Sequence, residues 1–196
     1  MTDYFTGTSG WSYPQWKQGM YEGVPQSKWL ACYAEHFTTV EQNSSFYRLP
    51  AEKAVLKWAE ATPESFRFAV KAWRDITHYK RLRNCEESLE QCMRLFRMFG
   101  KNLGPVLFQL PPSFKRDDAL LADFLALLPD DITAVFEFRH ASWQDKKVYS
   151  LLEKHRATLC HPHVMEWGLV KLLPVSITRG CTGRMTGSRA AIPMRS

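Results

Sequence analysis

The stretch TTVEQNSSFYRLP, residues 38–50, decides how the rest of the chain is read. Thr38, Thr39 and Val40 are β-branched and fit a pleated, half-buried surface, so the approach reads as a strand. It runs into a dense set of hydrogen-bonding side chains: Glu41, Gln42, Asn43, Ser44, Ser45, Tyr47 and Arg48. A strand that ends this way, and then turns at Leu49 and Pro50 toward a helical segment, is what a parallel α/β sheet needs where a carboxyl end opens onto a ligand. The competing reading is a solvated surface loop.

Outward from that stretch, strand and helix patterns alternate. Before it, YFTGTSG (4–10) reads as a short strand running into glycine. A helix follows to about Phe37, with Ser27 as its cap and Trp29, Leu30, Tyr33 and Phe37 at helical spacing. After it, 51–61 has helical composition, with Val55, Leu56 and Ala59 on one face, and Thr62-Pro63 ends it. FRFAVKA (66–72) is a third strand, 86–99 a helix with Gly100 near its end, and 105–110 a fourth strand closed by Pro111-Pro112. Residues 117–128 form a helix with acids in the first turn. Residues 132–138 are a fifth strand, Ser142 caps a helix over 143–155, and 157–160 begin a sixth strand.

This alternation with short connections calls for a parallel sheet, α/β in class. Eight such units in a (β/α) barrel take about 250 residues, so a chain of 196 falls two or three units short. A doubly wound open sheet is the alternative, but no GxGxxG follows the first strand and no P-loop occurs.

Composition limits the function classes. Apolar and charged fractions of 45% and 23% are those of an ordinary globular protein. No apolar run approaches the roughly 18 residues that span a bilayer, and the first ten residues lack the character of a signal peptide. The expectation is a cytoplasmic protein with no membrane partner. Five cysteines without a CxxC pair indicate reduced, mostly buried thiols rather than a disulfide framework or zinc ribbon. The net charge of +6 hints at nucleic acid, yet residues 161–196 hold five Lys/Arg against the single acid Glu166. Basicity therefore belongs to the tail, which argues against general nucleic-acid affinity of the body.

Five segments carry a resemblance: GTSGWSYPQW (7–16), TVEQNSSFYRLP (39–50), FAVKAWRDITH (68–78), LGPVLFQLPPSF (103–114) and EFRHASW (137–143). In that order they resemble the YecE-like family, domain of unknown function 72, and the resemblance implies a TIM barrel without supplying a reaction. It covers the chain to about Cys160. The expected domain is thus a partial barrel over 1–160, of five to six β/α units, with a divergent and poorly ordered tail over 161–196. Residues 177–196 hold no acid, no aromatic and four arginines, which does not form a core. Read from the third base of each codon, 180–196 permits a sequence resembling the family segment expected there. The expectation is a frameshift near 160–175, an early stop, and a truncated, inactive chain of low stability.

Two classes of function remain in view. The first is a barrel enzyme acting on a small polar or anionic substrate. Glu41 and Glu137, at the ends of the second and fifth strands, can divide acid and base roles or pair structurally with Arg74 or Arg139. Lys71 can be a desolvated nucleophile, an anion clamp or a paired interior lysine. His78 and His140 follow strands, and either can shuttle protons. Asn43, Arg74, His78, Gln109 and Arg139 would bind substrate, and Trp11, Tyr13, Tyr47 and Trp143 can stack a planar or sugar-like ligand or simply pack over the barrel. The second class is a nucleic-acid-associated protein using Arg74, Lys80, Arg81 and Arg83. Cys160, His161 and His163 have zinc-ligand character but lack the second half of a site, so no metal and no cofactor is assigned.

Overall fold

The computed structural model describes residues 4–160 and the backbone of residues 175–176. Its strands are β1 (Tyr4–Phe5), β2 (Gly7–Ser9), β3 (Thr39–Gln42), β4 (Arg67–Lys71), β5 (Leu103–Leu110), β6 (Ala134–Phe138), β7 (Thr158–Leu159) and β8 (Val175–Ser176). Strands β2 to β7 form one sheet in chain order, and every pairing in it is parallel. A doubly wound sheet needs a reversal of strand order, and this one has none. The architecture is therefore an incomplete (β/α) barrel. Among the described residues β2 and β7 do not pair, so the sheet stays open. The short β1 pairs antiparallel with β8, Tyr4 opposite Ser176, and does not extend the parallel sheet.

Helices α1 (Trp29–His36), α2 (Ser44–Tyr47), α3 (Glu52–Glu60), α4 (Glu86–Phe96), α5 (Asp118–Ala126) and α6 (Lys146–Lys154) occupy the crossovers. Side chains alternate across a strand, and here the alternation separates two chemistries. The even-numbered Val40, Phe68, Val70, Val106, Phe108, Leu110 and Phe136 join the apolar core with Val55, Leu89, Met93, Leu121, Phe124, Val148 and Leu152 from the helices. Phe108 stacks on Phe136 at 5.2 Å and meets Phe124 edge-on at 5.3 Å. The odd-numbered positions point the other way. They read Ser9, Glu41, Ala69, Lys71, Leu107, Gln109, Val135 and Glu137, and none of them belongs to that core.

Two contacts fix the first strands. An added Cβ at Gly7 would lie 1.9 Å from the carbonyl oxygen of Thr39, so only glycine lets β2 reach β3. The buried Tyr33 hydroxyl accepts from the Thr8 amide at 2.8 Å and donates to the Thr39 carbonyl at 3.0 Å, tying α1 to both strands.

Local details differ from the sequence reading at three places. Ser27 does not cap α1, because Pro25 opens a 3-10 turn (Gln26–Lys28) that takes Ser27 inside it. Ser142 caps no helix either. Residues Ala141–Trp143 form a separate 3-10 turn, and α6 starts later, with Asp145 accepting from the Lys147 amide at 2.8 Å. On α3 the inward face is Val55, Trp58 and Ala59, while Leu56 is exposed. The i, i+3, i+4 spacing from Val55 reaches Trp58 and Ala59 and leaves Leu56 about 100° away. The expectations for 161–174 and 177–196, including tail disorder, lie outside the described residues. No described helix is long and apolar enough to cross a membrane.

Candidate functional site

The odd-numbered face gathers its polar members at the carboxyl ends of the strands. A cavity of about 320 Å³ is lined there by Ser9, Glu41, Asn43, Phe46, Tyr47, Lys71, Gln109 and Arg139. One side of it is built by β2 and β3. Asn43 Nδ2 donates to Ser9 Oγ at 2.6 Å, and Ser9 Oγ reaches Glu41 Oε1 at 3.5 Å. Glu41 is 4% exposed. Its Oε2 and the Oδ1 of Asn43 are both buried without a hydrogen-bond partner. Buried acceptors are almost always satisfied, and leaving one unmade costs about 1–3 kcal/mol.

The other side is cationic. Lys71 Nζ donates to Gln109 Oε1 at 2.9 Å and stands 4.5 Å over the Phe46 ring. Arg139 Nε donates to Glu137 Oε1 at 2.7 Å, and Glu137 is fully buried while the guanidinium is part-exposed. Gln109 and Glu137 are directly paired in register across β5 and β6, which sets the clamp for both cations on adjacent strands. Glu41 and the Asn43 amide oxygen thus come from β3 and its end, while the two cations come from β4 and from just past β6, where Arg139 is paired with Glu137.

The turn after β4 shapes the rim. Residues Asp75–Tyr79 form a single π turn, and Arg81, Leu82 and Asn84 follow in the left-handed region at φ 49°, 66° and 47°. Non-glycine residues are uncommon there, and π turns concentrate at functional sites. The turn sets His78 edge-on against Phe46 at 4.8 Å. Burial, and then Lys71, Arg139, Arg74 and Arg81, hold the His78 imidazole below its ordinary pKa.

The remaining sequence candidates stand elsewhere. Arg74 lies over the Tyr47 and Tyr79 rings at 5.7 and 5.1 Å. His140 Nδ1 faces Ser142 Oγ at 2.8 Å and accepts from its amide, turned into the 140–143 loop. Trp11 packs edge-on against Trp58 and Phe68, Tyr13 donates to the Ser9 carbonyl, and Trp143 is buried against Phe138 with its indole N–H on the Phe114 carbonyl. Lys80 pairs with Asp75 at 3.2 Å, Arg83 with Asp117 at 3.2 Å, and Arg81 donates to Ser113. Ser9 and Phe46 line the cavity without having been singled out from sequence. For Ser9 the signal was its place at the end of the glycine-flanked first strand.

Cysteine follows expectation in being unbridged: none of the four described cysteines is in a disulfide, and Cys85 and Cys92 are buried. Burial pushes Cys85 up to about 11 and Cys92 to about 12. Ligand atoms of Cys32, Glu35 and His36 on α1 lie within 4.8 Å of one another, apart from the cavity. His161 and His163 lie outside the described residues.

Comparison with known proteins places these features in a family context. The family model described as protein of unknown function DUF72 matches residues 5–189. UPF0759 protein YecE of Escherichia coli (strain K12) is 33% identical over 137 residues, which is 69% of this chain and 48% of that protein. UPF0759 protein YunF of Bacillus subtilis (strain 168) is 32% identical over 130 residues, 62% of this chain and 46% of that one. The chain thus spans about half the length of these relatives. The crystal structure of a DUF72 family protein from Thermotoga maritima MSB8 superposes with a TM-score of 0.67 at 29% identity, covering 78% of this chain and 62% of that one. One from Enterococcus faecalis V583 gives 0.64 at 21% identity, covering 78% and 58%, and bears on the fold alone.

Proposed function

We propose that this chain, which belongs to the protein family of unknown function DUF72, carries an enzyme-type small-molecule site at the carboxyl ends of β2 to β6. The substrate is small, polar and anionic. Lys71 and Arg139 hold its negative group, Gln109 and Glu137 orient those two cations, and Glu41 exchanges a proton with the substrate at Oε2. Asn43 and Ser9 keep the Glu41 carboxylate in place. His78 lies behind Phe46, and burial keeps it neutral into the weakly acidic range.

The observation that carries this reading is the buried Glu41 carboxylate, 4% exposed and with one oxygen unpartnered, on a residue that lines a cavity also presenting two cations. A carboxylate kept only for structure would have both oxygens engaged. The nucleic-acid reading has less support, because Lys80 and Arg83 are engaged with Asp75 and Asp117 on the same chain. All the residues invoked fall within 9–139, so the chain as it stands is expected to bind.

Calorimetric titration with inorganic phosphate tests the reading. Saturable binding is expected, weakened at least about tenfold by Lys71→Met, as loss of a charge-assisted contact implies. Phosphate binding that ignores Lys71→Met and Arg139→Gln would remove the cationic wall from the site.

A further inference from the structure

The two unpartnered oxygens say more about the ligand than the cations do. Glu41 Oε2 and Asn43 Oδ1 are both acceptors, both buried, and both belong to side chains gathered on one hydroxyl, Ser9 Oγ. Asn43 donates one amide hydrogen to Ser9 Oγ, and its Oδ1 has no partner. Two acceptors and one negative charge in one corner call for a group with several hydrogens and a positive charge. Hydroxyls offer one hydrogen each, whereas a primary ammonium offers three and the charge. A bare divalent cation has the charge, but the same cavity presents Lys71 and Arg139, which repel it.

The opposite wall wants the reverse. Lys71 extends from β4, the strand next to β3, and is drawn by Gln109 toward β5. Glu41 is in register with Ala69, so Lys71 stands on the diagonal, two residues further along the neighbouring strand, where backbones are roughly 7–8 Å apart, and a short spacer joins an ammonium at Glu41 to an anion at Lys71. A cavity of about 320 Å³ is at the lower end of the range for small-molecule sites and suits a compact ligand.

We infer that the ligand of this cavity is a small zwitterion, with a primary ammonium on Glu41 Oε2 and Asn43 Oδ1 and a phosphate or carboxylate on Lys71 and Arg139. The inference rests on the small-molecule reading above and adds the ammonium pole to it. Selectivity follows from the orphan acceptors. A ligand without the ammonium leaves both unmade, and a site built around such groups discriminates strongly against the analogue that lacks the donor.

Titration of the full chain with O-phosphoethanolamine, ethyl phosphate, β-alanine, ethanolamine and calcium ion separates the possibilities. Phosphoethanolamine is expected to bind at least about tenfold more tightly than ethyl phosphate or ethanolamine, the factor that one charge-assisted hydrogen bond supplies. β-Alanine tells a carboxylate-bearing ligand from a phosphate-bearing one. In Glu41→Gln the preference for phosphoethanolamine over ethyl phosphate collapses toward one. In Asn43→Asp, which adds charge at the second acceptor, it rises. Thermal melting of both variants checks that they fold. Ethyl phosphate binding as tightly as phosphoethanolamine would overturn the zwitterion and leave the anion site standing. Calcium binding that depends on Glu41, with no preference for phosphoethanolamine, would overturn it in favour of a metal. Absence of binding by every probe would overturn both the zwitterion and the site.

Discussion

The two faces of the same four strands, β3 to β6, obey different rules. On the helix side Val40, Val70, Phe108 and Phe136 are at most 1% exposed and belong to one apolar core. On the opposite side, one residue along in each strand, stand Glu41, Lys71, Gln109 and Glu137. The first face explains why the sheet exists. The second carries an unsatisfied carboxylate oxygen that contributes nothing to folding and costs something to keep. Strand alternation thus lets one backbone separate stability from recognition, and the separation predicts how substitutions on each face behave.

The largest effect belongs to the apolar face. Phe108→Ala removes a ring packed on Phe124 and Phe136 and is expected to cost about 3–5 kcal/mol, read by urea unfolding. If it costs no more than a surface substitution, the helix-side core is not the source of stability. A step below lies Tyr33→Phe. It deletes the hydroxyl shared by Thr8 and Thr39 and leaves the buried Thr8 amide unmade, an expected loss of about 1–3 kcal/mol. Equal stability of Tyr33→Phe and the parent would show that the Tyr33 hydroxyl does not help to hold β2 against β3.

Smaller again is a pH effect at the rim. His78 has a folded pKa below its ordinary 6.5, chiefly through burial. Above 6.5 the imidazole is neutral folded and unfolded, so no stability is lost there. As pH falls below 6.5 the unfolded chain takes up the proton first, and stability drops until the folded value is passed. Melting temperature is therefore expected to fall as pH drops below about 6.5, with a shallower fall in His78→Gln. An identical slope in the variant would assign the effect to other groups.

Much of this was legible in the sequence because strands write their burial in alternation. FRFAVKA shows Phe68 and Val70 on one parity and Ala69 and Lys71 on the other, and that is how β4 faces the core and the cavity. Strand-end polar groups were legible for the same reason, and Glu41, Asn43, Tyr47, Lys71, Gln109 and Arg139 come to one cavity. Turn geometry was not. Ser27 and Ser142 have the chemistry of caps, but Pro25 and Asp145 start their turns elsewhere. The π turn at Asp75–Tyr79 and the left-handed Arg81 and Leu82 leave no mark in residue type, so the placement of His78 on Phe46 was not readable. Aromatic residues near strand ends were ambiguous: Tyr47 lines the cavity, while Trp11 and Trp143 pack against other rings.

The contrast between the faces turns on Glu41, and its unfolding free energy is the most direct measurement. Glu41→Gln keeps the shape, removes a buried charge and is expected to leave urea stability unchanged or raised by about 1 kcal/mol, since a group held for binding is released from a cost. A loss approaching that of Phe108→Ala would mean that the Glu41 carboxylate is part of the scaffold, and the division between the two faces would fail.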